Sequence, residues 1–300
     1  MSMNYDCCTL CPRMCRADRT RGVGFCRAGD TVKAARAALH PWEEPCISGT
    51  SGSGTVFFSG CTLKCVFCQN HTLSHENFGK EITVERLAEI FLELQEKGAH
   101  NINLVTATQY LPSIKEALDL ARPAFKLPVV YNSGGYERIE TLREFSDYID
   151  IYLPDLKYYD SSLSEKYSAA GDYFQKASAA IKEMIRLTGG LSWDAENKTL
   201  LKKGVIIRHM VLPGAKNDSI RLLHWIKEEL PPGQYLLSLM SQYTPFYKSS
   251  LYPEINRRIT SYEYNKVVDT AIELGLIDGY MQEKSSAREE YTPPFDLSGI

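Results

Sequence analysis

The sequence predicts an α/β protein built on a mainly parallel sheet, either an open doubly wound sheet or a complete or partial barrel. Six short apolar segments alternate with segments of helical periodicity, which is the pattern of strands joined by crossover helices. Polar or glycine-rich residues follow each apolar segment. Since ligands gather at the carboxyl ends of parallel strands, six loops are expected to converge on one site.

Each predicted strand is short and apolar. The six segments are TVFFS (55–59), NINLV (101–105), LPVVY (127–131), DIYLP (150–154), VIIRHMV (205–211) and QYLLSLM (234–240), and GYMQ (279–282) closes the series. The first predicted helix has Thr83 as its N-cap and ends at Gly98, and the second begins at Pro112. Further helices are predicted at 136–148, 161–187, 218–229 and 261–275.

Composition predicts three regions along the chain. Residues 1–50 form a Cys-rich N-terminal extension with a possible second metal site, 51–283 form the sheet-containing domain, and 284–300 form a C-terminal tail. No apolar run is long enough to cross a membrane, and the start of the chain lacks the pattern of a secretory signal. A cytoplasmic location is therefore expected. All nine cysteines lie within residues 7–68, and in a reducing compartment such clustering indicates metal binding.

The motif GCTLKCVFCQN (60–70) places Cys61, Cys65 and Cys68 in a loop directly after the first predicted strand. Zinc could use these thiolates with a fourth ligand from a nearby histidine or from Cys46. An iron-sulfur cubane held by three thiolates would instead leave one iron open to a small molecule. The spacing alone leaves both alternatives open.

A second cysteine set lies in the N-terminal extension. Its members are Cys8, Cys11, Cys15 and Cys26, with Cys7 as a rival first ligand, and their spacing suits either zinc or a second iron-sulfur cluster. Free thiols in a reducing cell are the alternative. The same extension is locally basic, with seven Lys or Arg against three Asp in residues 1–36, whereas the whole chain has a net charge of -3. Nucleic acid is therefore not an expected partner.

The three-cysteine motif, with an aromatic residue just before the third cysteine and a strand just before the first, resembles the signature of the radical S-adenosylmethionine (SAM) superfamily. Within that superfamily, four stretches resemble the pyruvate formate-lyase activating enzymes in order and spacing: FGKEITVERLAEIF, VYNSGGYE, DIYLPDLKYYD and IIRHMVLPG. The resemblance covers roughly residues 55–245. The Cys-rich N-terminus is similar to that of uncharacterised relatives of these enzymes.

The resemblance implies a partial (β/α)6 TIM-like barrel that binds a [4Fe-4S] cluster through Cys61, Cys65 and Cys68, with SAM on the open iron. One-electron reduction would cleave SAM to methionine and a 5'-deoxyadenosyl radical, which abstracts a hydrogen atom from the substrate. The implied activity is that of a metal-binding oxidoreductase that activates a glycyl-radical enzyme. The implied partners are a flavodoxin- or ferredoxin-like electron donor and a protein substrate.

The resemblance also assigns cofactor contacts. Phe67 is expected beside the adenine, and Asn132 and Ser133 near the cofactor carboxylate, where the activating enzymes have Asp and Thr. Because Asn replaces that Asp, a monovalent cation at this position is not carried over.

The motifs PDLK and IIRH carry three further assignments. Asp155, Lys157 and Arg208 match charged positions of the activating enzymes, and the two cations suit a carboxylate. The alternative is that Arg208 and Asp155 only pair with each other.

The segment VTATQY stands where the family has a Gly-Gly-Glu motif that holds the cofactor amino group. That motif is absent here. The hydroxyls of Thr106 and Thr108, or nearby carbonyls, are therefore expected to accept from the ammonium group.

Three other functions compete with glycyl-radical activation. One is radical SAM modification of another peptide or of a small molecule. The second is a zinc-dependent module that binds nucleic acid through the basic N-terminus, and the third is a simple iron-sulfur electron carrier.

Overall fold

The computed structural model describes residues 5–282 and 293–300, and one large sheet frames the fold. The strands are β1 (Val32–His40), β2 (Ser53–Phe58), β3 (Lys80–Ile82), β4 (Ile102–Val105), β5 (Val129–Ser133), β6 (Ile151–Pro154), β7 (Ser192–Trp193), β8 (Leu201–Met210), β9 (Leu236–Met240) and β10 (Gly279–Met281). Seven of them run parallel in the order β2-β4-β5-β6-β8-β9-β10. Within the described residues the two edges, β3 and β10, do not pair, so the sheet is an open partial barrel and the predicted fold class is confirmed.

The helices of the described residues are α1 (Pro45–Ser48), α2 (His71–Ser74), α3 (Val84–Glu96), α4 (Leu111–Ala121), α5 (Ile139–Phe145), α6 (Ser161–Ser168), α7 (Tyr173–Thr188), α8 (Lys216–Glu229) and α9 (Ser261–Glu273). All but α1, which joins the antiparallel strands β1 and β2, belong to crossovers between parallel strands. Thr83 caps α3 as predicted, its hydroxyl accepting from the backbone N–H of Arg86. The single helix predicted at 161–187 is two helices, because Ala169 adopts a left-handed conformation that ends α6.

The strand β1 was not predicted, and it joins the N-terminal region to the sheet. It pairs antiparallel with both β2 and β3, so the sheet continues across the boundary predicted at residue 50. Buried alanines, Ala34 and Ala37 among them, let β1 lie close to its neighbours. The last residues of the chain pack along the same strand, since Ala37 donates its N–H to the carbonyl of Ser298. The part of the predicted tail from 284 to 292 lies outside the described residues.

The interior of the open barrel is filled by the segment between β1 and β2. Ile47 of α1 is fully buried among inward-facing residues of four parallel strands: Val130, Ile151, Ile206 and Leu236. Because side chains alternate along a strand, positions two or four residues later face the same interior. The lower layer of the barrel is therefore apolar, and the layer above it is available for polar residues.

No helix in residues 5–282 or 293–300 combines the length and the apolar character that a membrane span needs.

The filling role of α1 gives a stability prediction. Ile47→Ala should lower the free energy of unfolding by about 2 to 4 kcal/mol, because a cavity would open between α1 and four strands. Ile272→Ala, at a position 55% exposed on α9, should change it by less than about 0.5 kcal/mol. Anaerobic guanidinium unfolding measures both. Equal effects of the two substitutions would contradict the account of α1.

Candidate active site

A cavity of about 820 Å³ opens at the carboxyl ends of the parallel strands, within the size range of small-molecule sites. Cys61, Cys65 and Cys68 line it together. The polar residues that face it come from the loops or ends of four strands: Thr106, Asn132, Ser133, Asp155, Lys157 and Arg208. The strand-end loops therefore converge on one cavity that contains the cysteines, as the alternation of elements predicted.

Backbone contacts on several sides fix the cysteine loop. Gly60 has a φ of +83°, and a Cβ at this position would lie 2.6 Å from the carbonyl oxygen of Cys26, so only glycine fits. The N–H of Val66 donates to the carbonyl of Tyr167 (2.8 Å) at the end of α6, and the N–H of Lys248 donates to the carbonyl of Val66 (2.9 Å). The loop is thus clamped by remote parts of the chain before any ligand binds.

Each of the three sulfur atoms has a hydrogen-bond partner: Cys61 Sγ accepts from Leu63 N–H (3.4 Å), Cys65 Sγ lies 2.9 Å from Ser168 Oγ, and Cys68 Sγ accepts from Ser74 Oγ (3.2 Å). Burial raises the pKa of the Cys61 thiol to about 12 and that of Cys68 to about 11, with the neighbouring Cys65 sulfur adding to both shifts. Ionised thiolates at these positions would therefore need a positively charged centre between them to be stable.

The donor set fits an iron-sulfur cluster better than a single ion. Three thiols face one cavity, and none of its described lining residues supplies a fourth cysteine. Nowhere in residues 5–282 or 293–300 do three Cys, His, Asp or Glu side chains lie close enough to hold one metal ion. A cubane binds each thiolate through a different iron, so three thiolates hold it and leave its fourth iron open.

A charged network also lines the cavity, with Lys157 near the cysteines. The Asp155 carboxylate lies between Lys157 Nζ (2.6 Å) and Arg208 Nε (3.0 Å), and Arg208 also donates to Asn132 Oδ1 (2.7 Å). Burial opposes ionisation of Asp155, yet Arg208 and Lys157 hold its pKa below the usual value. Asp155 and Arg208 do pair, as the simpler interpretation held, but both also face the cavity.

Two acidic residues of this wall were missed in the sequence. Glu43 lies 3.4 Å from both Arg208 and the Asn132 amide, and burial raises the pKa of its carboxyl although Arg208 opposes the shift. Burial likewise raises the pKa of Glu44, whose buried Oε2 has no hydrogen-bond partner. The Arg208 guanidinium therefore interacts with three carboxyl groups, those of Asp155, Glu43 and Glu44. The only signal was a pair of acids between two prolines, PWEEP.

The two threonines of VTATQY, the segment that follows β4, have different surroundings. Thr106 lines the cavity in a left-handed conformation (φ +58°), which is rare for a β-branched residue and typical of strained functional loops. Thr108 is not a lining residue, so its expected contact with the cofactor is corrected. Its hydroxyl lies 2.8 Å from the Tyr131 hydroxyl and 2.9 Å from Glu137 Oε1, because the short helix after β4 turns it toward the outer face.

Two further residues position these loops. Gln109 is buried, and its amide nitrogen donates to the carbonyls of Ser59 (3.0 Å), Gly60 (3.2 Å) and Thr106 (2.7 Å), which ties the loop after β4 to the cysteine loop. Phe67 lines the cavity and packs edge-on against Tyr243, with 5.6 Å between ring centroids. Gln109 gave no sequence signal, because its partners are backbone atoms of distant segments.

Comparison with known proteins gives a family match and one close relative. Residues 55–226, more than half of the chain, match the family described as the Radical SAM superfamily. The chain is 30% identical over 279 residues to the uncharacterized protein MJ0674 of Methanocaldococcus jannaschii. The aligned region covers 90% of this chain and 75% of that protein.

Solved structures with a similar fold are more distant. HydG, a maturase of the [FeFe]-hydrogenase, is 18% identical with a TM-score of 0.48, over 77% of this chain and 51% of that one. Streptococcus suis SuiB bound to S-adenosylmethionine is 12% identical with a TM-score of 0.48, over 74% of this chain and 48% of that one. The chain spans about half the length of these two proteins.

The buried Glu137 gives a pH prediction. Burial raises its pKa to about 7 from 4.5, while hydrogen bonds from Thr108 and Tyr131 oppose the shift. The folded protein therefore retains a proton that the unfolded chain loses, so stability should fall as pH rises from 4.5 to 7. Glu137→Gln removes this term. The difference in unfolding free energy between wild type and variant should change by about 3 kcal/mol between pH 4.5 and 8, in the variant's favour.

Denaturant unfolding at several pH values measures this difference. Glu116→Gln, at an exposed position on α4, is the control and should leave the pH profile of wild type unchanged. Parallel profiles for wild type and Glu137→Gln would show that burial does not raise the pKa of Glu137.

Proposed function

The chain belongs to the radical SAM superfamily, and we propose that it activates a glycyl-radical enzyme by taking a hydrogen atom from a glycine of that partner protein. One observation carries the proposal. The strand-end residues of NSGGY, PDLK and IIRH, the motifs that resemble the pyruvate formate-lyase activating enzymes, line the same cavity as the three cysteines. The open edge of the sheet supports a large substrate, since a closed barrel would restrict access.

The chain's own residues would hold the cluster and orient the cofactor. When bound, the cluster and SAM together supply one-electron cleavage of the sulfonium carbon-sulfur bond and, from it, hydrogen-atom abstraction. Cys61, Cys65 and Cys68 would bind three irons as thiolates. Lys157 and Arg208 are the cations of the cavity wall that would pair with the cofactor carboxylate.

The adenine and the ammonium group of SAM also have candidate partners in this cavity. Phe67 offers an apolar ring to the adenine. Thr106 offers its hydroxyl to the ammonium group, which needs acceptors. Glu44 Oε2, buried and without a partner, is a further polar group available to a bound molecule.

Apolar side chains complete the wall and protect a reactive intermediate from side reactions. Met210, Leu212 and Met240 face the cavity from β8, the loop after it and β9. They make this part of the wall apolar, and exclusion of water from such a site suppresses competing chemistry. A flavodoxin- or ferredoxin-like protein is the proposed electron donor.

The cluster assignment is tested by cofactor cleavage. Anaerobically reconstituted protein with reductant and SAM should release 5'-deoxyadenosine, and Cys65→Ala should reduce the release to background, because two thiolates cannot hold the cluster in its catalytic form. Cys46→Ala, at a buried cysteine of α1 that does not line the cavity, is the control and should retain activity. Full activity of Cys65→Ala would refute the assignment.

The substrate class is tested on glycyl-radical proteins. Incubation with the correct partner should produce an electron paramagnetic resonance doublet, and a partner labelled with deuterated glycine should transfer deuterium to 5'-deoxyadenosine. Cleavage of SAM with deuterium transfer from another peptide or a small molecule, and no doublet with any glycyl-radical partner, would favour the rival radical SAM function.

A further inference from the structure

The N-terminal cysteines form a second group outside the cavity, in a lobe made by residues 5–31. A side-chain carbon added at Gly24 would lie 3.4 Å from Cys15 Sγ and 3.6 Å from Cys26 Sγ, so these two sulfurs flank the same glycine. Cys26 also interacts electrostatically with Cys8, and Cys11 interacts with both Cys8 and Cys26. The sulfurs of Cys8, Cys11 and Cys15 are therefore grouped around that of Cys26.

Backbone amides point at these sulfurs in the pattern found at the cavity cysteines. At Cys61 and Cys68 the N–H of the residue two positions later hydrogen bonds to the sulfur. The same spacing recurs three times in the lobe: Arg13 N–H with Cys11, Ala17 N–H with Cys15, and Ala28 N–H with Cys26. Cys46, a buried thiol outside both groups, lacks this contact. Amide donors stabilise thiolates that bind a metal centre.

The lobe also buries a cation, Arg19, whose neighbouring acidic groups are the thiols of Cys8 and Cys26 and the phenol of Tyr5. Arg19 is 1% exposed, and its guanidinium donates to Cys8 Sγ (3.6 Å) and to the carbonyls of Ala28 (2.9 Å), Gln109 (2.7 Å) and Gly29. Among the described residues it forms no ion pair with a carboxylate. A buried charge without a counter-charge is costly, so a negatively charged centre on the thiolates would compensate it.

Local backbone strain is concentrated beside the same cysteines. Met14, Arg16 and Arg27 adopt left-handed conformations with φ of 44°, 52° and 67°, and each is next to Cys15 or Cys26. Non-glycine residues adopt this conformation at a cost of about 1 kcal/mol or more, which persists where a site requires a particular turn.

The likeness to the cavity cysteines favours a cluster over a single ion. Both groups have sulfurs contacted by the N–H of the residue two positions later, a contact that the buried Cys46 lacks. Four cysteines also supply one thiolate for each iron of a cubane.

We propose that Cys8, Cys11, Cys15 and Cys26 hold a second [4Fe-4S] cluster through which electrons enter the cavity. The two groups are in direct contact. The N–H of Cys61 donates to the carbonyl of Cys26 (3.2 Å), and Arg13 Nε donates to the carbonyl of Thr62 (2.9 Å) in the cavity loop. Cys15 is exposed, so the second cluster lies between solvent and the first one.

The electron transfer balances without bond changes in the lobe. A one-electron donor of the flavodoxin or ferredoxin class reduces the second cluster, which passes the electron to the cavity cluster and returns to its oxidised form. No proton and no leaving group moves at the four cysteines. The site itself stands independently of the proposed function, whereas its role as the entry point rests on that function.

Iron, acid-labile sulfide and zinc analysis of the reconstituted full-length protein tests the site. Wild type should contain about eight irons and eight sulfides per chain, and Cys11→Ala/Cys26→Ala about four of each. Cys15→Ser, at the exposed edge, gives the same test if the double variant fails to fold. Cys7→Ala, next to the group but not part of it, should keep all eight. Unchanged iron in the N-terminal variants, or one bound zinc in place of the second cluster, would overturn the proposal.

A triple variant separates this result from the proposed function. Cys61→Ala/Cys65→Ala/Cys68→Ala should lose the other four irons and keep the N-terminal cluster. If it instead keeps wild-type iron, the cavity assignment fails while the N-terminal site stands.

The entry role is tested by the ratio of two cleavage rates, one with a reduced flavodoxin and one with dithionite. This ratio should fall by about tenfold or more in Cys15→Ser, because dithionite is small enough to reduce the cavity cluster directly. The ratio should stay at the wild-type value in Cys7→Ala. An unchanged ratio in Cys15→Ser would overturn the entry role.

Discussion

The need to bury three thiolates side by side is the constraint on which the rest of the site depends. Burial raises the pKa values of the Cys61 and Cys68 thiols, and the Cys65 sulfur beside them adds to both shifts. The surrounding chain offsets this cost of ionisation in two ways. A hydroxyl or an amide lies within hydrogen-bonding distance of each sulfur, and Lys157 places a cation near Cys65 and Cys68. When Cys65 is a thiolate, Ser168 must donate to it, and Tyr158, 2.8 Å away, then donates to Ser168.

The alternation of side chains along parallel strands explains how one sheet serves both stability and chemistry. On β5, β6 and β8 the inward positions change from apolar to polar within two or four residues, from Val130 to Asn132, from Ile151 to Asp155 and from Ile206 to Arg208. The apolar layer closes over α1 and excludes water from below. The polar layer above it is then held rigidly, and the Asp155-Arg208 pair joins the ends of β6 and β8.

Much of this arrangement could be predicted from sequence, because its signals are local. The parallel strands, the N-cap of α3 and the polar strand ends follow from periodicity and from residues a few positions apart. β1 was missed because it is rich in alanines, which are weak strand formers, with Lys33 and Arg36 among them. Thr108 was misplaced because a short helix after β4 turns it away from the cavity. Glu43, Ser168 and Gln109 could not be found, since their partners are brought close only by the fold.

The central claim is that the three cavity cysteines leave one iron of the cluster open for SAM. The most direct measurement is hyperfine spectroscopy of the reduced cluster with SAM labelled with nitrogen-15 at its amino group. The account predicts a resolved coupling between that nitrogen and the cluster spin, because the open iron binds the cofactor directly. Absence of coupling under conditions where SAM is bound, with a protein side chain on the fourth iron instead, would contradict it.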